Sequence, residues 1–406
     1  MDILKLLLVF AVIITVIAMK KPLLIATTIA SVVIVVLYQL PMDTAGAAIW
    51  KGLTSQTTID SLLVLYTITF LQRMMEKRHQ LAGCQEALNG LFNNRRVNVS
   101  LAPFLLGCLP AASTVLVCGP IVRGSVGDEL DTTEKAAITS YFRHISESFL
   151  PTYTSIFIAI GLSGGAVSVS SFVLAMLPMV AALFLTGYLV YLRRIPRDTG
   201  MVPDRSKGEY ARLFFQSTWP IFLAILLILC LKQMKVWMVV IVCTVINFFV
   251  NKFSFREIVP FFRSAFEGRL MLNTWMIMVF KDLLAATGVI TLLPEAFSHL
   301  PIPTFVVFAL ISFFGAVVAG SQAIIVLAMP MAMAALDGAP ALSMFILFMS
   351  MNYVAMQISP THICLTLCAE DYRVPLGSMI AKTMPMVLVF TAISFAYYFC
   401  LRAMGL

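Results

Sequence analysis

Charge is what this sequence has least of. Asp, Glu, Lys and Arg make up 12% of its 406 residues, about half the share of a soluble globular domain, while 60% of the residues are hydrophobic. No aqueous fold accounts for that balance. Histidine is scarce as well, with four in the chain, and the 8 cysteines lack the spacing of a zinc site or a redox pair. Cys108, Cys118, Cys230, Cys243 and Cys400 lie inside apolar runs, where they read as small packing residues. No His-Glu-x-x-His motif and no paired acidic protease signature is present, which leaves little basis for a hydrolase. The net charge of +8 raises the question of a nucleic-acid partner. The basic residues, however, sit in short loops between apolar spans, where they orient a chain in a membrane, and no nucleic-acid function is read from them.

What is present is repeated apolar sequence. Mean hydropathy is +0.95, and uncharged runs such as residues 23–37 and 218–231 imply elements surrounded by lipid or by one another. At roughly 20 residues per span, the length allows about ten to twelve membrane segments and no sizeable soluble domain. Residues 3–19 are apolar, have no basic segment before them and end at Lys20-Lys21, so they read as a retained first span.

The longest polar stretch, residues 193–212, holds two prolines and a cluster of Arg and Lys. It divides the chain into residues 1–192 and 213–406, and its positive charge places it in the cytoplasm of a cell-membrane protein. The basic groups Lys20-Lys21, Lys77-Arg78, Arg95-Arg96 and 123–135 can share that side only if residues about 101–121 enter and leave by one face, as a re-entrant hairpin. The same reasoning in the second half makes residues about 304–335 a hairpin and puts both termini outside. The expected fold is therefore an all-α membrane protein of about ten transmembrane helices plus two re-entrant hairpins, in two inverted-topology repeats.

Internal punctuation supports the repeat. Ala112-Ser113-Thr114 and Gly320-Ser321-Gln322, Pro120 and Pro330, and Pro151 and Pro360 recur in one order at an offset of roughly 208 to 210 residues. Pro151 and Pro360 each remove a backbone donor and predict broken helices. Non-helical backbone at membrane depth leaves amides and carbonyls whose desolvation costs several kcal/mol per group, unless protein, water or a ligand satisfies them. The hairpin tips and the breaks are thus the candidate binding features. Ser148, Thr152, Ser359 and Thr361 add hydroxyls there. Ionisable groups near the breaks are few: Arg143, His144 and Glu147 before the first, and His362 after the second. Arg143 and Glu147 are four residues apart, which suits an ion pair on one helix face, while an anion anchor at Arg143 and a proton or cation carrier at Glu147 are the functional alternatives.

The segment from Arg143 to Tyr153 (RHISESFLPTY) and the segment Ser359-Pro360-Thr361-His362-Ile363-Cys364-Leu365 resemble signatures of an integral membrane family known as domain of unknown function 401, within the ion transporter superfamily. Its distant relatives include divalent-anion/sodium symporters, gluconate permeases and the large membrane subunits of TRAP transporters. The resemblance implies a homodimer with a scaffold and a moving region, and substrate and coupling ions held by hairpin tips and broken helices. Carried over, the implied positions are Ala112, Ser113, Thr114, Pro151, Thr152, Gly320, Ser321, Gln322, Ser359, Pro360 and Thr361. The sodium symporters of that group carry Ser-Asn-Thr at their tips, and this chain does not. The expected function is secondary active transport of a small organic anion, coupled to Na+ or H+, by an elevator form of alternating access. The alternatives are a cation/proton antiporter, an intramembrane enzyme using Ser321 and His362, and a passive channel. No cofactor is expected beyond the coupling ion, and no metal beyond Na+ at the hairpin tips.

Overall fold

A computed structural model describes the whole chain except residues 1, 20, 109–113, 152, 199–204, 232–233, 293–300, 337 and 360–361. Among the described residues there are helices and no strand, only an isolated bridge between Asn94 and Asp198.

The first half contains α1 (Asp2–Ala18), α2 (Leu23–Leu37), α3 (Met42–Thr54), α4 (Gln56–Lys77), α5 (Gln80–Phe92), α6 (Arg95–Gly107), α7 (Thr114–Ser125), α8 (Thr132–His144), α9 (Thr154–Leu162) and α10 (Val169–Val190). The second contains α11 (Lys207–Cys230), α12 (Val236–Val250), α13 (Phe255–Ser264), α14 (Gly268–Ala286), α15 (Thr304–Ala319), α16 (Ser321–Ala334), α17 (Ala341–Ile358), α18 (Ile363–Tyr372) and α19 (Leu376–Ala403). Proline marks the starts: Pro22, Pro41, Pro303, Pro340 and Pro375 stand just before α2, α3, α15, α17 and α19. A proline there gives up no helical hydrogen bond. Asp131 with Glu134, Ser168 with Ser171, and Ser206 with Glu209 close reciprocal capping boxes at α8, α10 and α11, satisfying backbone donors that the first turn leaves orphaned.

Among the described residues, four helices are long and apolar enough to cross a bilayer: α10, residues 207–228 of α11, α17 and α19. The apolar helices α2, α12, α15 and α16 are shorter, and the chain is a multi-pass membrane protein. Val32, Val36, Leu185, Leu189, Phe249 and Leu388 are exposed, a surface suited to lipid and to no aqueous solvent. α17 is the most enclosed of the four long helices, 78% of it buried, and packs against α15, α16 and α19.

The order of helices recurs. α2 and α12 are both 15 residues long and are each followed by a shorter helix, α3 or α13. A helical hairpin, a helix interrupted and resumed, and a long apolar helix close each half. Packing crosses between the halves in matching pairs. α14 lies against α2 and α3, and α4 against α12 and α13; α16 packs on α9, and α18 packs on α7.

Two boundaries differ from the sequence reading. The first hairpin begins at Arg95, earlier than residue 101, because Asn94 caps α6 by accepting from the Arg96 amide, and Arg96 Nε donates to the Ile195 carbonyl at 2.7 Å. The first break is also longer than one proline. α8 ends at His144, a 3-10 segment (Ile145–Ser148) follows, and α9 begins only at Thr154. Ser146 Oγ donates to the Arg143 carbonyl at 2.9 Å and Ser148 Oγ to the Ile145 carbonyl at 2.7 Å, supplying the donors that the interrupted ladder no longer provides.

The loop charges gather. Arg95 pairs with Glu129, Arg194 with Glu134, Lys382 with Asp131, and Arg123 with Asp371, so residues 95, 123–134, 194 and 371–382 share one face of the molecule. Lys382 and Asp60, near helix ends, both have partners, since Asp60 accepts from Lys235 and from Trp237 Nε1. Asp282 pairs with Lys51 at 3.7 Å and not with its neighbour Lys281.

Candidate binding site at the helix breaks

The two interruptions and the second hairpin tip meet at a cavity of about 460 Å3. The tip is a one-residue turn. Gly320 has φ +88° and ψ 156°, a region that is essentially restricted to glycine, and α16 starts at once with Ser321. Ser321 Oγ donates to Oδ1 of the buried Asn352 on α17, and Ser359 Oγ donates to the Val317 carbonyl at 3.1 Å. The tip is thereby tied to the helix that runs into the second break.

Three helices begin at this cavity. Thr154 and Ser155 open α9, Ser321, Gln322 and Ala323 open α16, and Cys364 lies in the first turn of α18, with His362 as its N-cap. All of these residues line the cavity, together with Lys21, Arg143, Glu147 and Tyr153. The first amides of a helix have no internal partner and carry the positive end of its dipole. The cavity thus has three such ends, Lys21, and Arg143 paired with Glu147 in its wall, so positive charge exceeds negative there.

Arg143 and Glu147 form a salt bridge, buried at 1% and 7% side-chain exposure. A close backbone approach fixes its position. A Cβ on Gly107 would lie 2.1 Å from the Arg143 carbonyl oxygen and 2.5 Å from Ser146 Oγ, and Tyr153 OH donates to the Gly107 carbonyl. α6 and the first break can touch only because residue 107 lacks a side chain.

His144 is fully buried. Its Nδ1 lies 2.6 Å from the Ser140 carbonyl; a carbonyl can only accept, so Nδ1 carries the proton and Nε2 presents a lone pair. That lone pair meets His362 Nε2 at 3.1 Å. Together with Glu147 and Cys364, the two histidines offer four ligand atoms all within 4.8 Å of one another.

Of the residues expected at the site, Gly320, Ser321, Gln322, His362, Arg143 and Glu147 line the cavity, and His144 joins it through His362. Pro151 does not; it lines a small apolar cavity with Leu71, Cys108 and Ile225. The Ser148 and Ser359 hydroxyls are turned to backbone carbonyls. Thr114 is the first residue of α7, while Ala112, Ser113, Thr152, Pro360 and Thr361 lie outside the described residues. Lys21, Tyr153, Asn352 and Cys364 were not singled out from the sequence. Lys21 was read as a loop residue that orients the chain, and no reading was attached to Asn352. A lone Asn within an apolar helix is the signal that was available.

The pairing of Ser321 with Asn352 leaves no nucleophile–histidine contact at the tip, the geometry an intramembrane hydrolase would need. One run, Gly161-Leu162-Ser163-Gly164-Gly165, has the spacing of a nucleophile elbow, but it lies at the C-terminal end of α9, where Ser163 Oγ donates to the Ile160 carbonyl at 2.7 Å. The strand-to-helix turn that such an elbow requires is absent there.

Broken helices and a hairpin tip around one cavity define a class, the α-helical membrane proteins with interrupted helices. The chain belongs to the family described as protein of unknown function DUF401, whose family model matches residues 3–400. Among solved structures it is similar to the YdaH transporter of Alcanivorax borkumensis, described as having an unusual topology. The two are 12% identical, with a TM-score of 0.58 over 87% of this chain and 86% of that chain. At that identity the likeness establishes a shared fold. No curated protein matches the chain.

Proposed function

We propose that this protein is a secondary active transporter of a small organic anion, carboxylate-like in charge, driven by a gradient of Na+ or H+. The observation that carries the reading is the meeting of three helix N-termini, those of α9, α16 and α18, at one cavity that also holds Lys21 and Arg143. Interrupted helices let backbone amides serve a solute at depth, where a continuous helix would have none to offer. The recurring helix order and the crossed packing support two inverted repeats, divided near residues 193–212. In this reading the hairpins and broken helices move together, elevator fashion, against α2–α4 and α11–α14, within a homodimer in the cytoplasmic membrane, with the shared charged face toward the cytoplasm.

Purified protein in proteoliposomes should accumulate a labelled small carboxylate, saturably, when an inward Na+ or H+ gradient is imposed. Absence of uptake across a panel of mono- and dicarboxylates under both gradients would sink the proposal. A second reading, cation/proton antiport, draws support from the buried Glu147 beside His144 and His362. It would be favoured by Na+ flux that exchanges for H+ with no organic solute present.

A further inference from the structure

We propose that the side chains of His144, Glu147, His362 and Cys364 form a binding site for a borderline-soft divalent metal ion, Zn2+ in particular, which ties the two halves of the chain together. The inference goes beyond the transport reading and does not depend on which solute is carried.

The geometry is the first argument. Four donor atoms from four residues lie within 4.8 Å of one another. Donors around tetrahedral zinc are about 3.3 to 3.8 Å apart, given metal–ligand bonds of about 2.0 to 2.3 Å. Movements of about an ångström would therefore close the shell. The histidine Nε2 atoms, at 3.1 Å, are already near that spacing.

Ligand chemistry is the second. Two imidazoles, a thiolate and a carboxylate make a set that suits zinc and disfavours the hard ions Mg2+ and Ca2+, which take oxygen ligands. His144 is oriented as metal-ligating histidines are, with Nδ1 donating to a backbone carbonyl and Nε2 directed away from it. His362 must present its Nε2 lone pair, and its proton moves to Nδ1 or to solvent. Cys364 loses its thiol proton. The ion itself drives that loss, since a thiol that coordinates a metal is deprotonated by it.

Charge is the objection, since Arg143 and three helix ends are already there. The thiolate and the Glu147 carboxylate match the dication and leave Arg143 and Lys21 positive, a surplus that an anion in the same cavity would offset, and Glu147 has two oxygens, so one can stay with Arg143 while the other turns to the metal.

The test uses full-length protein in detergent, stripped with chelator and titrated with Co2+ as a spectroscopic stand-in for Zn2+. The site predicts one ion per chain, visible d–d bands of a four-coordinate centre, and a near-ultraviolet thiolate-to-metal band. Zn2+ should displace that spectrum, and Cys364→Ser should abolish its thiolate band. His362→Gln should weaken binding at least tenfold, with both variants eluting as the unmodified protein does. A spectrum without a thiolate band, or one unchanged in both variants, overturns the proposal. A second measurement needs no variant. Alkylation of Cys364, followed by peptide mass mapping, should slow at least tenfold on adding Zn2+ and recover with chelator, and an unchanged rate overturns the proposal as well. Binding without transport would refute only the proposed function, and transport without binding would refute only the metal site.

Discussion

Nε2 of His144 lies 3.1 Å from Nε2 of His362, although 218 positions of chain separate the two residues. Each stands at the edge of an interruption, His144 at the end of α8 and His362 at the start of α18. The contact joins the two breaks, and Arg143 and Glu147, on the same stretch as His144, share its cavity wall with His362.

The buried Arg143–Glu147 pair should be costly to halve. Glu147→Ala takes the carboxylate from a guanidinium with 1% of its side chain exposed, a loss of about 3 to 5 kcal/mol for a buried pair. The double variant Arg143→Met, Glu147→Leu should lose much less stability. Thermal unfolding of the detergent-purified protein checks both. A single variant as stable as the parent would mean that the pair is not buried.

Gly107→Ala should destabilise through backbone contact. The added Cβ would lie 2.1 Å from the Arg143 carbonyl, and overpacking of this kind costs about 1 to 3 kcal/mol. Gly46→Ala, in α3 with nothing within 4 Å of the added Cβ, is the control, and there alanine should be neutral or favourable by helix propensity. Equal unfolding temperatures for the two variants would argue against the contact between α6 and the first break.

Gly320→Ala meets open space, with nothing within 4 Å, so its effect comes from the backbone alone. Holding alanine at φ +88° costs about 1 to 3 kcal/mol, and the turn should relax at the expense of its shape. Substrate uptake is expected to fall at least tenfold, with a smaller change in unfolding temperature than Gly107→Ala produces.

The loop between α12 and α14 carries a pH dependence. The Arg78 guanidinium, hydrogen-bonded to Glu257, and the Ser254 amide at the start of α13 hold the Glu257 carboxyl down at about 2, from an ordinary value of 4.5. Because the folded value is depressed, the stabilisation is fully present above pH 4.5 and is lost as pH falls from 4.5 through about 2. The gap in unfolding temperature between the parent and Glu257→Gln should therefore be constant from pH 7 to 5 and shrink below that. A gap that widens on acidification would contradict the assignment.

The sequence made some of this legible, for physical reasons. Hydropathy exposed the membrane class, and Pro151 marked the first break, because a proline in an apolar helix removes a donor whatever surrounds it. The length of that break was hidden, since Ile145–Ser148 leaves the helix through the Ser146 and Ser148 hydroxyls, and serines in such a run also suit an intact membrane helix. The Arg143–Glu147 pair was visible as an i,i+4 spacing. The meeting of His144, His362 and Cys364 was not, because it depends on how α8 and α18 pack and no local pattern encodes that. That Lys21 borders the cavity was not legible either, as a charge beside a helix end gives no sign of which cavity the loop lines.

The crossed packing of α16 on α9 and of α18 on α7 carries a consequence for how the molecule comes into being. As the ribosome releases residues 1–192, α7 can rest on α6 and α8, and α9 on α4, but α18 and α16 have yet to be made. The early half therefore lacks one wall of the cavity until those later helices are in place.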